Sequence, residues 1–460
     1  MSQPALSRPL WRDAGFLRFW GGQTFSAFGE QFGQLAIPII AVTILHATEF
    51  EVGLLNAVET LAFLVLGLPA GAWIDRMIKR RVMLTVDLGR AILLGLLPIL
   101  WFVGALQFWQ LIVIGTAVGV GSVFFDVSYQ SFIPKLAPSD RIADANGKLE
   151  TTMQVARIAG PAVGGGLLAI VAAPVLLLVT AATYLLSFGA IASLQDRETK
   201  APRETRRSLV VEIREGMAWV IHQPLLVRIV ASVSIGNLFG TILMTMLPVL
   251  ALRTLGIPPS IYGVIFAIGG IGGVLGGVLT SALSRVLGEG RVIPVAAVVL
   301  GIALLITASA GVFTSISIVL LIVGDFVFGF AVLVFNITSV SYRQRICPPE
   351  LLGRMNASVR FVVWGVIPIG GICSGLLAGA IGLVPALFVG AVGALLSAGP
   401  VVFSPLRRLR VLVPPEADMT GTRTPGSASD PDTDAQTATD TDRQPQPEAG
   451  PASGPERPME

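Results

Sequence analysis

The sequence predicts an all-α membrane protein in which twelve transmembrane helices form two six-helix bundles related by a parallel repeat. Three observations predict it. The 460 residues are 53% hydrophobic and only 13% charged, about half the charge content of a soluble domain, so the chain cannot keep a water-exposed surface. Apolar runs of about 20 residues, the length that crosses a hydrocarbon core of about 30 Å, recur twelve times. The chain also matches itself at one offset of 210 residues, aligning Arg18 with Arg228, Pro38 with Pro248, Gly53 with Gly263, Phe125 with Phe335, Asn146 with Asn356 and Gly160 with Gly370.

Span 1, residues 17 to 43, has polar interruptions and no cleavage region after it, and reads as a retained helix rather than a signal peptide. Span 2 (51 to 74) holds Asn56, Glu59 and Thr60 as its strongly polar members and stops at GAWIDRMIKRR, residues 71 to 81. Spans 3 (82 to 104) and 4 (108 to 131) follow, the latter with Asp126. Span 5 (147 to 170) contains GPAVGGG, which removes side chains from one stripe so that a neighbouring helix can approach, and its Pro161 frees a carbonyl that permits bending. Ordinary small-residue packing is the alternative reading there. Span 6 (174 to 194) closes the first copy. Spans 7 to 12 run 226 to 251, 259 to 285, 292 to 311, 315 to 340, 356 to 379 and 383 to 403. The expected organisation is an N-terminal bundle (1 to 194), a cytoplasmic connector (195 to 225), a C-terminal bundle (226 to 405) and a tail (406 to 460). The Pro-, Thr-, Ser- and Asp-rich tail has too few apolar residues for a core and is expected to be disordered.

Lys and Arg set the orientation. The connections HATEFE, ALQFWQ and VAAP carry no base, and on that side only Arg253 breaks the pattern, whereas RMIKRR, PKLAPSDR, DRETKAPRETRR, SRVLGEGR and YRQRI are rich in them. The positive-inside rule then makes the second set and both termini cytoplasmic, as in a multi-pass protein of the cytoplasmic membrane. An even number of crossings per copy gives the two bundles the same orientation, so they can rock against each other about a midplane site. Two cysteines (Cys347, Cys373) and two histidines (His46, His222) are too few and scattered for a disulfide framework or a metal site. No cofactor or nucleic-acid partner is expected, and a monomer suffices. The chain has no GxxxxGK[ST] loop and no room for a catalytic domain, which argues against an ATPase or another enzyme.

GAWIDRMIKRR resembles the loop signature of the major facilitator superfamily, in which Gly, Asp, Arg and a later basic pair recur between helices 2 and 3. These fall on Gly71, Asp75, Arg76, Arg80 and Arg81, with Ile78 where the signature has a further Gly. Span 5 is similar to the helix-5 motif of drug exporters through Gly147, Gly160, Pro161, Gly164 and Gly165, with Ala156 at the motif's second Gly. A third signature, an Arg within helix 4, is missing from IVIGTAVGVGSVFFD. The resemblance covers residues 15 to 405 and looks most like the branch that holds macrolide and enterobactin-type exporters. It implies the major facilitator fold and a secondary active transporter that exports small amphiphilic compounds, such as a drug, an antibiotic or a siderophore-like metabolite, by alternating access and proton antiport. A uniporter or importer of the same fold, or a non-transporting membrane sensor, is the alternative.

In that family helices 1, 4, 7 and 10 line the cavity. Gln23, Ser26, Glu30 and Gln34 share one face of span 1, and Ser234, Asn237, Thr241 and Thr245 one face of span 7. Span 4 offers Asp126 and span 10 offers Asp325 and Asn336, three turns apart on one face. Intramembrane charges usually face a bundle interior or water, which makes Glu30, Glu59, Asp126 and Asp325 the candidate proton-coupling groups. Glu30 and Glu59 come to similar heights and are expected to pair, unless Glu59 faces another helix; Asp126 and Arg157 could form a structural pair. Asp75 is expected to latch the cytoplasmic side by capping a helix of the other half, such as the one opening near Asn356. One proton entering is worth about 2.3 kcal/mol per 100 mV plus about 1.4 kcal/mol per pH unit, ample for efflux.

Overall fold

The structure, a computed structural model, describes residues 10–74, 77–136, 141–194, 209–348 and 351–409, and every regular element among them is helical. The first half comprises α1 (Ala14–Ile39), α2 (Glu49–Ile74), α3 (Lys79–Phe102), α4 (Phe108–Leu136), α5 (Ile142–Leu168) and α6 (Ala173–Ala192). A shorter α7 (Leu209–Ile221) leads to α8 (Pro224–Pro248), α9 (Pro259–Leu287), α10 (Glu289–Ser309) and α11 (Ser317–Ile346). The next crossing is made of α12 (Leu352–Gly365) and α13 (Ile367–Ile381), and α14 (Leu383–Leu396) with the short α15 (Gly399–Val402) completes the set.

Among the described residues eleven stretches are long and apolar enough to cross a bilayer, one fewer than the twelve expected. The remaining span lies in α5, which carries Asp144, Lys148, Glu150 and Arg157 and so falls short on apolarity. It nonetheless runs between α1 and α9, with Gly160 and Gly164 against Gln31, Phe32 and Leu35 of α1. Polar and small residues on a helix held between neighbours are what membrane packing favours, since lipid offers no hydrophobic drive for association. Large apolar side chains such as Ile92, Ile99 and Val278 are exposed, as a surface against acyl chains requires.

The repeat is visible in detail. Pro38 and Pro248 each lead into a widened π turn, Ile40–Ile44 and Val249–Thr254, and each turn is followed by a left-handed residue, His46 at φ 51° and Gly256 at φ 63°. Arg18 donates to the Ser193 carbonyl at 3.1 Å and Arg228 to that of Phe403 at 3.3 Å, so one arginine ties down the end of the last helix in each half. Arg80 adds bonds to the Ile191 and Ala192 carbonyls at 3.2 and 2.6 Å, satisfying carbonyls left orphaned at the α6 C-terminus. At the start of α2, Thr48 and Glu51 form a reciprocal capping box within HATEFE.

Two elements differ from expectation. The connector contains amphipathic α7, which packs on α12 and joins it through Glu215 and Arg354 at 2.5 Å. Span 11 is broken at Val366 because Pro368 has no amide to continue the ladder. The chain stays packed slightly past 405: Leu406 is fully buried, in the turn Pro405–Arg408. Asp75, Arg76, residues 195–208 and the tail from 410 onward lie outside the described residues.

Candidate functional site

The two halves meet at the face that bears the base-poor loops. Gly53 of α2 lies against α13, where a Cβ on it would stand 2.5 Å from the Gly371 carbonyl oxygen and 2.9 Å from the Gly375 amide. Gly165 of α5 lies against α9, where a Cβ would stand 2.7 Å from Gly263 Cα. Since Gly263 and Gly375 repeat Gly53 and Gly165, one crossing is the copy of the other. Only glycine allows backbones this close, which gives the GPAVGGG stripe its purpose on both sides: Gly160 and Gly164 face α1 and Gly165 faces α9. Gly147 has no neighbour within 4 Å of where its Cβ would be. Arg253, the exceptional base of that face, reaches across to Glu49 at 3.4 Å and to the Ala47 carbonyl.

Beneath this seal is a cavity of about 670 Å³ between the halves. Glu30 and Gln34 line it from α1, bonded to each other at 3.2 Å. Asn237, Thr241 and Thr245 line it from α8, and Asn336 from α11. The Asn237 amide is also a structural clamp, because it donates at 2.9 Å to the Val363 carbonyl, just ahead of the break between α12 and α13.

Other expected residues stand elsewhere. Gln23 and Ser26, further down the same face of α1, are buried in protein and not on the cavity wall. Around Ser234 the α8 wall is made by Ser232, Val233 and Gly236, whereas the Ser234 hydroxyl is buried without a hydrogen-bond partner among the described residues. Asp325 and Asn336 do not share a cavity, since Asp325 lines a second one between α5 and α9. Glu30 and Glu59 are both on the central wall, but no described contact joins them. The Glu59 carboxyl is instead turned to α4, its Oε1 3.0 Å from where a Cβ of Gly115 would stand. Asp126 is exposed and on the wall of neither cavity, and Glu30, Arg90, Arg360 and Arg157 all act on it electrostatically. Gly71 closes the last turns of α2, Arg80 is engaged at α6, and Arg81 is exposed.

Several wall residues were not anticipated. Asn56 and Thr60 join Glu59 on α2, and their i, i+3, i+4 spacing in an otherwise apolar run was the signal that could have found them. Ser122, Tyr184, Tyr262 and Ser397 complete the polar part, and nothing in their local sequence marks them. Asp87 and Arg90 form a buried pair on α3, 3.9 Å apart, with the guanidinium 4.9 Å from the Phe125 ring and 5.3 Å from that of Tyr184. Opposite charges three apart inside an apolar span were the clue.

A helical bundle pair around a mixed polar and aromatic cavity, sealed at one face by repeated glycine crossings, defines a major facilitator transporter. Residues 7–421 match the transmembrane secretion effector family, and the chain belongs to it. It is 27% identical over 349 residues to the multidrug efflux pump Tap of Mycolicibacterium fortuitum, covering 74% of this chain and 83% of Tap. It is 25% identical to macrolide efflux protein A of Streptococcus pyogenes, over 80% of this chain and 90% of that protein. To YfiS of Bacillus subtilis, an uncharacterised transporter of the superfamily, it is 27% identical over 60% of this chain, spanning 66% of YfiS. The fold is shared with a crystal structure of a bacterial homologue of the iron transporter ferroportin in its inward-facing state, with a TM-score of 0.67 and 16% identity over 86% of this chain and 99% of that one.

Proposed function

We propose that this transporter is a secondary active exporter of small amphiphilic compounds, a drug, an antibiotic or a siderophore-like metabolite, which it exchanges for protons by alternating access. The observation that carries this reading is the central cavity, sealed at one face, with the half-buried acid Glu59 on its wall, its Oε1 buried without a hydrogen-bond partner among the described residues. A volume of about 670 Å³ suits a drug-sized ligand, and its walls are apolar apart from a few polar groups. Among the described residues no cation stands against Glu59. A proton can neutralise it, and a neutral acid passes through an occluded state at far lower cost than a bare charge.

The base-rich face is taken as cytoplasmic, with both termini on it and the protein in the cytoplasmic membrane. The seal then lies outside, and the cavity is poised to load from within. Residues 1–194 and 226–405 are the rocking bundles, 195–225 the connector and 406–460 the tail, in a monomer without cofactor. Asp75 with Arg76, Arg80 and Arg81 serves the cytoplasmic closure of the cycle. The export direction draws support from the helix-5 glycines and from relatives named as efflux proteins. The missing helix-4 arginine favours the rival reading of a uniporter.

Proteoliposomes loaded with a pH dye separate the two. An antiporter moves protons when substrate is added, and Glu59→Gln abolishes that movement while downhill substrate exchange continues. Undiminished proton flux in Glu59→Gln removes Glu59 from coupling and leaves Glu30, Asp126 or Asp325; no proton flux in the wild type points to a uniporter.

A further inference from the structure

The second cavity, about 740 Å³, opens off the first at the α5 and α9 seam and shares Gln34, Met244, Tyr262, Phe266 and Phe328 with it. Its charged members are Arg157, which is exposed, and Asp325, whose side chain is 7% exposed. Among the described residues Asp325 has neither a hydrogen bond nor an ion-pair partner. Its carboxyl is set into the notch left by Gly269 of α9, where a Cβ would collide with Oδ2.

This arrangement is a copy with the roles exchanged. Gly269 and Asp325 are the repeat equivalents of Glu59 and Gly115, so each half places one acid in a glycine notch of the facing helix, at the same position. The exchange of donor and notch turns Glu59 to the central cavity and Asp325 to the second one.

We infer that the second cavity binds the cationic group of a lipophilic cation, with Asp325 as its counter-ion. A buried carboxylate without a partner is costly, and a bound cation removes that cost. The rings of Tyr262 and Phe266, packed edge to face at 5.0 Å, and of Phe328 offer faces to such a charge, while the valine and glycine walls of α5 and α9 receive its apolar body. Arg157 does not compete for the acid: it is exposed, and the carboxylate on which it acts electrostatically is Asp126. An anion of the same shape would meet the unpaired acid. The inference rests on the reading of the chain as a carrier of amphiphiles, but binding to Asp325 requires neither export nor proton exchange.

The test uses full-length protein in nanodiscs without any gradient, with empty discs subtracted, and two probes of one shape and opposite charge, tetraphenylphosphonium and tetraphenylborate. The wild type should bind the phosphonium more tightly than the borate. Asp325→Asn should weaken phosphonium binding by about tenfold or more and leave the borate unchanged. Gly269→Ala, which fills the notch and displaces the carboxyl, should weaken it as well. Phosphonium affinity unchanged in Asp325→Asn, or tighter borate binding by the wild type, would overturn the inference. A wild type that shows no preference for the phosphonium overturns the inference even if the variants fail to fold. Because no gradient is present, a transporter that proves to be a uniporter still passes or fails this test independently.

Discussion

Gly165→Ala perturbs one atom at the seal. The added Cβ would stand 2.7 Å from Gly263 Cα, 2.9 Å from its carbonyl carbon and 3.1 Å from the Ser260 carbonyl oxygen. All three are backbone atoms, so no side chain can swing aside, and α5 and α9 must part by roughly 1 Å to restore ordinary contact. Overpacking of this kind costs about 1–3 kcal/mol. The strain acts on the sealed state, because the crossing exists only while the halves meet at this face. The equilibrium should therefore shift toward the state open there by about 5- to 150-fold. The assay is labelling of Val52→Cys, a position now buried at the seam, by a membrane-impermeant maleimide in a background of Cys347→Ser and Cys373→Ser. Gly165→Ala should label faster than its parent, and Gly147→Ala, whose new Cβ meets nothing within 4 Å, should not. Equal labelling of Gly165→Ala and parent, with transport unimpaired, would refute the assignment of the glycine crossing as the seal.

Asn237→Ala leaves the Val363 carbonyl without its donor, so it should cost about 1–3 kcal/mol and lower Tm in detergent while keeping the ranking of substrates; a changed ranking at constant Tm would contradict this. Asp87→Asn strips the buried Arg90 of its counter-charge and should destabilise the first half by about 3–5 kcal/mol, seen as poor yield of folded protein, whereas paired apolar replacements of Asp87 and Arg90 should recover most of it. Arg253→Gln should weaken the seal only slightly, by about 0.5–1 kcal/mol at low salt, because the pair with Glu49 is about one-third exposed; Val52→Cys labelling should show an effect that fades as salt is raised.

The sequence by itself determined that this chain crosses a membrane many times, which loops share a face, and that its halves are copies. Those properties are additive along the chain: hydropathy per residue, bases per loop and one offset kept through six helices. Even small details carried over the offset, such as Arg18 and Arg228 or the prolines before the two π turns. Tertiary structure alone decided which member of a helical face meets the cavity. Gln23, Ser26, Glu30 and Gln34 lie on one stripe of α1, but the stripe is covered by protein at Gln23 and Ser26 and open to the cavity at Glu30 and Gln34, because what covers each turn is set by the parts of the chain packed around it there and not by the helix's own sequence. For the same reason Asp325 and Asn336 line different cavities although they share a stripe. Glu59 and Asp325 could be counted as intramembrane acids from the sequence, but their glycine notches belong to other helices, more than fifty residues away, and no local pattern records that meeting.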